Sequence, residues 1–342
     1  MPVSAIDVIG PAFQHAKQQL FAPFRLGQWT RLAVVGLLAG EMSSGGCNFG
    51  APFGTGDSSR DDFLAQTLPA VNPALMVTLI ALLVVCGVVV WLSLLYVSSM
   101  MRFVLFDSVV ARGCRIRRFW RDRRGVGFKY FVWQVGFSLV TLSSLALVIG
   151  IPVAIAFGLG LFNNPRENLL PLIFGGFTVF LIAIPMIMGA SIVHVFTKDF
   201  VVPQMACEGV AAMEGWRRLW PMLKQDKGGY GVYIVLKIAL ALAAAIILVI
   251  IMTLVLLVLL IPAGGLGVVA ILTGSAAGLT WNIFTIAIAV VAGIVSLAAV
   301  LYLGALMFVP AIVFFPAYSI YFFASRYGPL DTLVHPPISA PP

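Results

Sequence analysis

Charge is what this chain has least of. Asp, Glu, Lys and Arg together make up 10% of its 342 residues, against about 25% in ordinary soluble domains. Histidine is nearly missing too, with three scattered copies (His15, His194 and His335), and there are only four cysteines. No Cys or His pair has metal-ligand spacing, so no metal site is expected. There is no Gly-x-Ser-x-Gly elbow and no phosphate-cradling Walker loop, and glycine pairs such as Gly264-Gly265 read as turns. The expectation is therefore a non-enzymatic protein with no catalytic residues and no cofactor.

Hydrophobic residues make up 61% of the chain. Four stretches contain no Asp, Glu, Lys or Arg: Phe63 to Met101, Tyr130 to Pro165, Asn168 to Thr197, and Ile238 to Ser325. About 20 apolar residues cross a bilayer as a helix, so each stretch can hold at least one span. The stretches lack the two-residue alternation of an outer-membrane barrel, which excludes strands. The fold class predicted is all-α: a polytopic membrane helix bundle of about six transmembrane helices in three repeated pairs, with interfacial amphipathic helices. The expected spans are about 26–42, 74–99, 130–151, 170–196, 231–260 and 282–308. The span at 26–42 is interrupted by Arg31 and Glu41. The Gly-rich IPAGGLGVVAILTGSAAGLT between the last two reads as a linker, a re-entrant segment or a further span.

Residues 5–24 place Ile6, Ile9, Phe13, Ala16, Leu20 and Phe24 three and four apart, the pattern of an amphipathic helix lying on a membrane. These apolar positions do not form the continuous core of a signal peptide. The stretch SSGGCNFGAPFGTGDSS reads as a flexible loop. Asp57, Asp61 and Asp62, just beyond its start, read as a solvated group that could attract a cation. With six spans, the outer loops near 43–72, 163–168 and 262–280 hold only Arg60 and Arg166 of the 21 basic residues. The positive-inside rule then puts both termini in the cytoplasm. Cys86 falls in a span, Cys114 and Cys207 inside, and Cys47 outside, so no intramolecular disulfide is expected.

The densest charge is RGCRIRRFWRDRRG, residues 112–125. Arginine interleaved with aromatics could track nucleic acid, but this segment directly follows a span. Its predicted partner is the anionic headgroup layer, to which Arg115, Arg117, Arg118 and Arg121 are assigned, with Phe119 and Trp120 inserting. Nucleic acid is not an expected partner; membrane lipids are, and membrane-protein partners are open.

One hundred residues later, GWRRLWPMLKQDKGG repeats the pattern. Arg117-Arg118-Phe119-Trp120 matches Arg217-Arg218-Leu219-Trp220, and DSVV from Asp107 matches DFVV from Asp199. Arg217 and Arg218 join the expected headgroup contacts. The repeat reads as interfacial helix, span, outer loop and span, at 1–107, 108–200 and 201–325. The whole is one membrane domain, 1–330, with a Pro-rich tail at 331–342.

The run from Asp199-Phe200-Val201-Val202-Pro203 through Glu208-Gly209 to Trp216-Arg217-Arg218 resembles a group of uncharacterised bacterial multi-pass proteins that includes the membrane domain of some glycerophosphoryl diester phosphodiesterases. The resemblance implies a bacterial inner (plasma) membrane location and no activity for the domain itself. The soluble barrel of such phosphodiesterases does not fit in this chain.

Ionisable residues in spans are costly and often functional. Glu41, His194 and Lys237 qualify, with Asp107 and Asp199 near the interface. All lie near predicted span ends, where water is in reach, and Asp107 could pair with Arg102. Pro152, Pro185 and Pro310 can break or kink spans, while Gly36-x-x-x-Gly40 and Ala289-x-x-x-Gly293 permit close helix packing. The expected function is a scaffold or a component of envelope and lipid homeostasis. The alternative is a transporter or lipid-translocating protein with a cavity between repeats.

Overall fold

The computed structural model describes residues 3–41, 73–164, 167–276 and 283–334. The expected flexible loop, Cys47, the Asp57, Asp61 and Asp62 group, Arg60, Arg166, residues 277–280 of the Gly-rich segment and His335 lie outside them. Every regular element described is helical. In chain order they are α1 (Ile9–Phe21), α2 (Leu26–Leu38), α3 (Pro73–Val110), α4 (Ile116–Asp122), α5 (Arg124–Gly158) and α6 (Leu169–Phe196). A π-helical turn (Thr197–Val201) leads to α7 (Val202–Glu208), followed by α8 (Ala212–Gln225), α9 (Lys227–Ala276), α10 (Ile283–Ala324) and α11 (Gly328–Val334).

Among the described residues, five helices are long and apolar enough to cross a membrane: α3, α5, α6, α9 and α10. In four of them the most apolar stretch buries none of its residues within the protein. Side chains such as Leu83, Val140, Phe174 and Ile250 are exposed. Apolar surface this continuous must be covered by something other than water, and lipid is the solvent that fits.

The buried core gathers at one end of these helices. There Phe103, Phe200, Tyr230, Tyr233, Tyr318, Phe322 and Phe323 are fully buried. Tyr233 stacks on Phe322 with centroids 4.5 Å apart and on Tyr318 at 5.2 Å, while Phe200 meets Tyr230 edge-on at 5.2 Å. Such ring pairs contribute beyond their buried area. Both described ends of the chain meet at this packed end. Tyr318 Oη donates to the carbonyl of Ala5 at 3.2 Å, and Arg326 donates to that of Val3 at 3.2 Å.

Four expectations change. The segment 26–42 is not a full crossing by itself: α2 has 13 residues, about 20 Å of helix, where about 30 Å is required. It stops because Gly40 takes a left-handed conformation (φ +77°) and Glu41 turns into the protein to pair with Lys198. The Gly-rich segment is no loop up to Ala276, since α9 continues through it; in an apolar medium an unbroken helix satisfies its own backbone groups, and glycine is tolerated there. Helix α1 does not merely lie on a membrane. Its small residues Ala12 and Ala16 let it bury a face with His15, Gln19 and Leu20, leaving Ile6, Phe13 and Phe21 exposed. Finally, α11 runs to Val334, past the tail boundary expected at 330.

Gly36 of the anticipated small-residue pair is a close contact. A Cβ there would lie 2.5 Å from the Ile312 side chain of α10, so only glycine admits this approach.

Candidate functional site

Pro203 shapes the most polar part of the core. It has no N–H to offer the carbonyl four residues back, at Asp199, and its ring crowds that carbonyl. The chain takes the wider π turn, Thr197–Val201, just before it. Such turns re-aim side chains and recur at functional sites. Here three consecutive residues face three different elements. Thr197 Oγ1 accepts a hydrogen bond from Trp216 Nε1 of α8 at 3.1 Å. Lys198 pairs with Glu41, just beyond α2, their side chains 9% and 3% exposed. Asp199 pairs with Lys237 of α9 and accepts a 3.0 Å hydrogen bond from Tyr233 Oη. The Lys237 ammonium also lies 5.7 Å from the Tyr233 ring centroid.

Arg102 of α3 completes the group. It donates to Tyr130 Oη at 2.7 Å and to the carbonyl of Ala39 at 3.1 Å, and it lines a cavity with Glu41, Lys198, Asp199, Pro203 and Ser319. The cavity holds about 30 Å³, room for a water or two and no solute. Two carboxylates thus face three cations in a closed site. Removing one member of a buried pair leaves an uncompensated charge, at a cost of about 3–5 kcal/mol.

Of the polar positions singled out in the sequence, the fold brings Glu41, Asp199 and Lys237 together. His194 is half-buried one helical turn before Lys198. Asp107 is elsewhere, held by Arg123 through two 2.8 Å hydrogen bonds. Its expected pairing with Arg102 does not occur, because five residues along a helix turn a side chain about 140° away. Lys198, Arg102, Tyr130 and Tyr233 escaped notice in the sequence. The usable signals were Lys198 beside Asp199 ahead of a proline, and Tyr233 one turn before Lys237.

The arginines expected at headgroups fall into two settings. Arg115, Arg117, Arg118 and Arg121 are exposed on and beside α4. Among the described residues their one acidic partner is Asp122, 3.9 Å from both Arg118 and Arg121. Phe119 and Trp120, expected to insert, are half-buried against the protein, with Trp120 edge-on to Tyr96. On α8 both arginines are paired: Arg217 with Glu214 at 2.8 Å, Arg218 with Glu214 at 3.1 Å and with Glu208. Trp220 is exposed.

Two groups outside the spans show perturbed titration. His15 sits between the carbonyl of Val109, 2.9 Å from Nε2, and Tyr321 Oη, 3.2 Å from Nδ1. Burial, with a smaller contribution from Arg112, lowers its pKa below the usual imidazole value, favouring a neutral ring that donates from Nε2 and accepts at Nδ1. Burial pushes the Cys114 thiol up, away from thiolate reactivity.

These features define a multi-pass α-helical membrane protein whose buried charges are cross-linked at one end of its spans. The chain belongs to the family of unknown function DUF7544, whose model matches residues 3–333. No curated protein and no solved structure matches it, and nothing in the family match links it to glycerophosphoryl diester phosphodiesterases.

Proposed function

We propose that this protein is a non-enzymatic, multi-pass component of the bacterial inner membrane that acts as a scaffold or in envelope and lipid homeostasis. The observation that carries the reading is the closure of the ionic cluster. Glu41, Lys198, Asp199 and Lys237 pair across α2, the π turn and α9 around a cavity of about 30 Å³. Charges fixed on one another in this way hold elements in register, whereas a transport site needs access for its cargo. The basic helices at the packed end favour a cytoplasmic position for that end and for both termini. The same reading takes α4 and α8, each directly preceding a long helix, as equivalent parts of the repeats 108–200 and 201–325, and keeps the kinship with phosphodiesterase membrane domains as a distant one.

A lipid-translocating protein is the second reading. The observation in its favour is an apolar groove of about 540 Å³ between α6, α8 and α9, lined by Phe196, Trp216 and Trp220 and edged by Lys224 and Lys227.

Purification in mild detergent from native membranes and reconstitution into liposomes separate the two. The scaffold reading expects stoichiometric partner proteins and no solute flux or lipid scrambling above empty liposomes. Movement of a solute or labelled lipid by the solitary protein, abolished by Trp220→Glu in the groove, establishes the second reading in its place.

A further inference from the structure

The largest cavity of the packed end lies on the other side of the molecule from the apolar groove's tryptophans in sequence, at the corner where α1 turns into α2. It has a volume of about 740 Å³. Arg25 and Arg31 enter it from the α1–α2 corner, Arg112 and Arg115 from the turn joining α3 to α4, and Gln18 and Gln28 lie between them. No acidic residue lines it, and among the described residues none of the four arginines has a carboxylate partner within ion-pair distance. Arg112 is held toward the pocket by a 3.1 Å hydrogen bond to Gln18 Oε1 and adopts the left-handed conformation that non-glycine residues rarely take (φ 49°).

Four guanidinium groups converging without a counter-charge repel one another, and a bound anion relieves that repulsion. Guanidinium is the group that matches phosphate oxygens two at a time. Arg25 also caps the N-terminus of α2, so the positive end of a 13-residue helix points the same way. The rim differs in character from the interior. Phe21, Phe24 and Leu26 flank the lining residues of the corner and are exposed, by 57%, 56% and 55%. A basic interior beside an exposed apolar edge suits a ligand with a phosphate at one end and hydrocarbon at the other.

We propose that this pocket binds the phosphate of an anionic phospholipid headgroup, with the acyl chains lying along Phe21, Phe24 and Leu26. The site is distinct from the exposed arginines of α4, of which it shares only Arg115 at its edge. It depends on the protein being in a membrane and not on its being a scaffold, since neither partner proteins nor transport enters the argument.

The test uses the full-length protein in an uncharged detergent, with binding measured by native mass spectrometry or thermophoresis. The probes are a short-chain phosphatidic acid, the matching phosphatidylcholine, and inorganic phosphate. The phosphatidic acid should bind at least about tenfold more tightly than the phosphatidylcholine. Arg25→Gln combined with Arg31→Gln should weaken it about thirtyfold, at about fivefold per basic residue. Arg217→Gln combined with Arg218→Gln, on α8, should leave it unchanged. Phe21→Ser with Phe24→Ser should weaken the lipid but not inorganic phosphate. Inorganic phosphate binding as tightly as the lipid supports the anion pocket and assigns it to a soluble phosphate instead. Should the Arg25 and Arg31 double variant fail to fold, Arg112→Gln alone, about fivefold weaker, serves in its place. Equal binding of the anionic and zwitterionic lipids, or an effect of the α8 variant as large as that of the pocket variant, overturns the proposal.

Discussion

The segments around Asp107 and Asp199 carry the same words in the same order, Asp-x-Val-Val and then Arg-Arg-aromatic-Trp, and use them in opposite ways. In the first, Asp107 is pinned by Arg123, a residue of the loop itself, with side-chain exposures of 13% and 27%. The remaining arginines of α4 face out with a single carboxylate, Asp122, among them. In the second, Asp199 is turned inward to Lys237 and Tyr233, and the arginines of α8 are matched by Glu208 and Glu214. The aromatics are exchanged as well: Trp120 packs on the protein while Trp220 is exposed. One helix shows the membrane charge, the other shows it an indole ring. What separates them is Pro203, which produces the turn that buries Asp199, and two glutamates.

Exchanging the acids exposes this difference most strongly. Asp199→Ala leaves the Lys237 ammonium buried and should destabilise the protein by about 3–5 kcal/mol, seen as a large drop in melting temperature in detergent. Adding Lys237→Met should recover much of the loss. Asp107→Ala should cost less, about 1–3 kcal/mol, because Arg123 reaches water and keeps its bond to the carbonyl of Ala206. Equal losses at the two sites would erase the distinction between them.

The next contrast lies in the lipids. Replacing Arg115, Arg117, Arg118 and Arg121 by Gln should deplete anionic lipid from the copurifying shell, each charge contributing on the order of 1 kcal/mol near the surface, with the difference shrinking at high salt. Arg217→Gln with Arg218→Gln should change the shell little, and Trp220→Ala should act independently of salt. Lipid analysis of protein purified at low and high ionic strength gives the answer. If both arginine sets deplete anionic lipid equally, the glutamates of α8 do not neutralise their partners.

The smallest effect expected is on pH. The folded pKa of His15 is depressed below its unfolded value of about 6.5. Between the two values the unfolded chain binds the extra proton, so the stability His15 contributes is complete above about pH 6.5 and declines as pH falls toward the folded value. His15→Gln should flatten that decline in melting curves taken from pH 7.5 to pH 5; an unchanged slope would assign it to another group.

Much of this was legible from the chain because bilayers impose a simple rule on sequence. Spans as long as α3 or α6 announce themselves by the lack of charge, and Glu41, Asp199 and Lys237 stood out because charge in such surroundings is rare. Their partners did not, since pairing joins residues far apart: Glu41 and Lys198 are separated by 157 positions, and no local pattern encodes that. The break after α2 was hidden for a related reason. Hydropathy measures how well a segment tolerates lipid, and it is silent on whether Glu41 has a lysine waiting within the protein. The pocket at Arg25 and Arg31 was also invisible, being assembled from two corners that touch only in the fold.

The aromatic packing of Tyr233, Phe322, Phe200 and Tyr230 has a mechanical consequence. It clamps α9, α10 and the end of α6 at one level, while the apolar lengths beyond it bury none of their residues, or few, within the protein. Helices fixed at one end behave as levers. When the surrounding bilayer thins or thickens, hydrophobic matching is restored by tilting the free lengths, and the pivot of that tilt falls where Lys198 and Asp199 hold their partners.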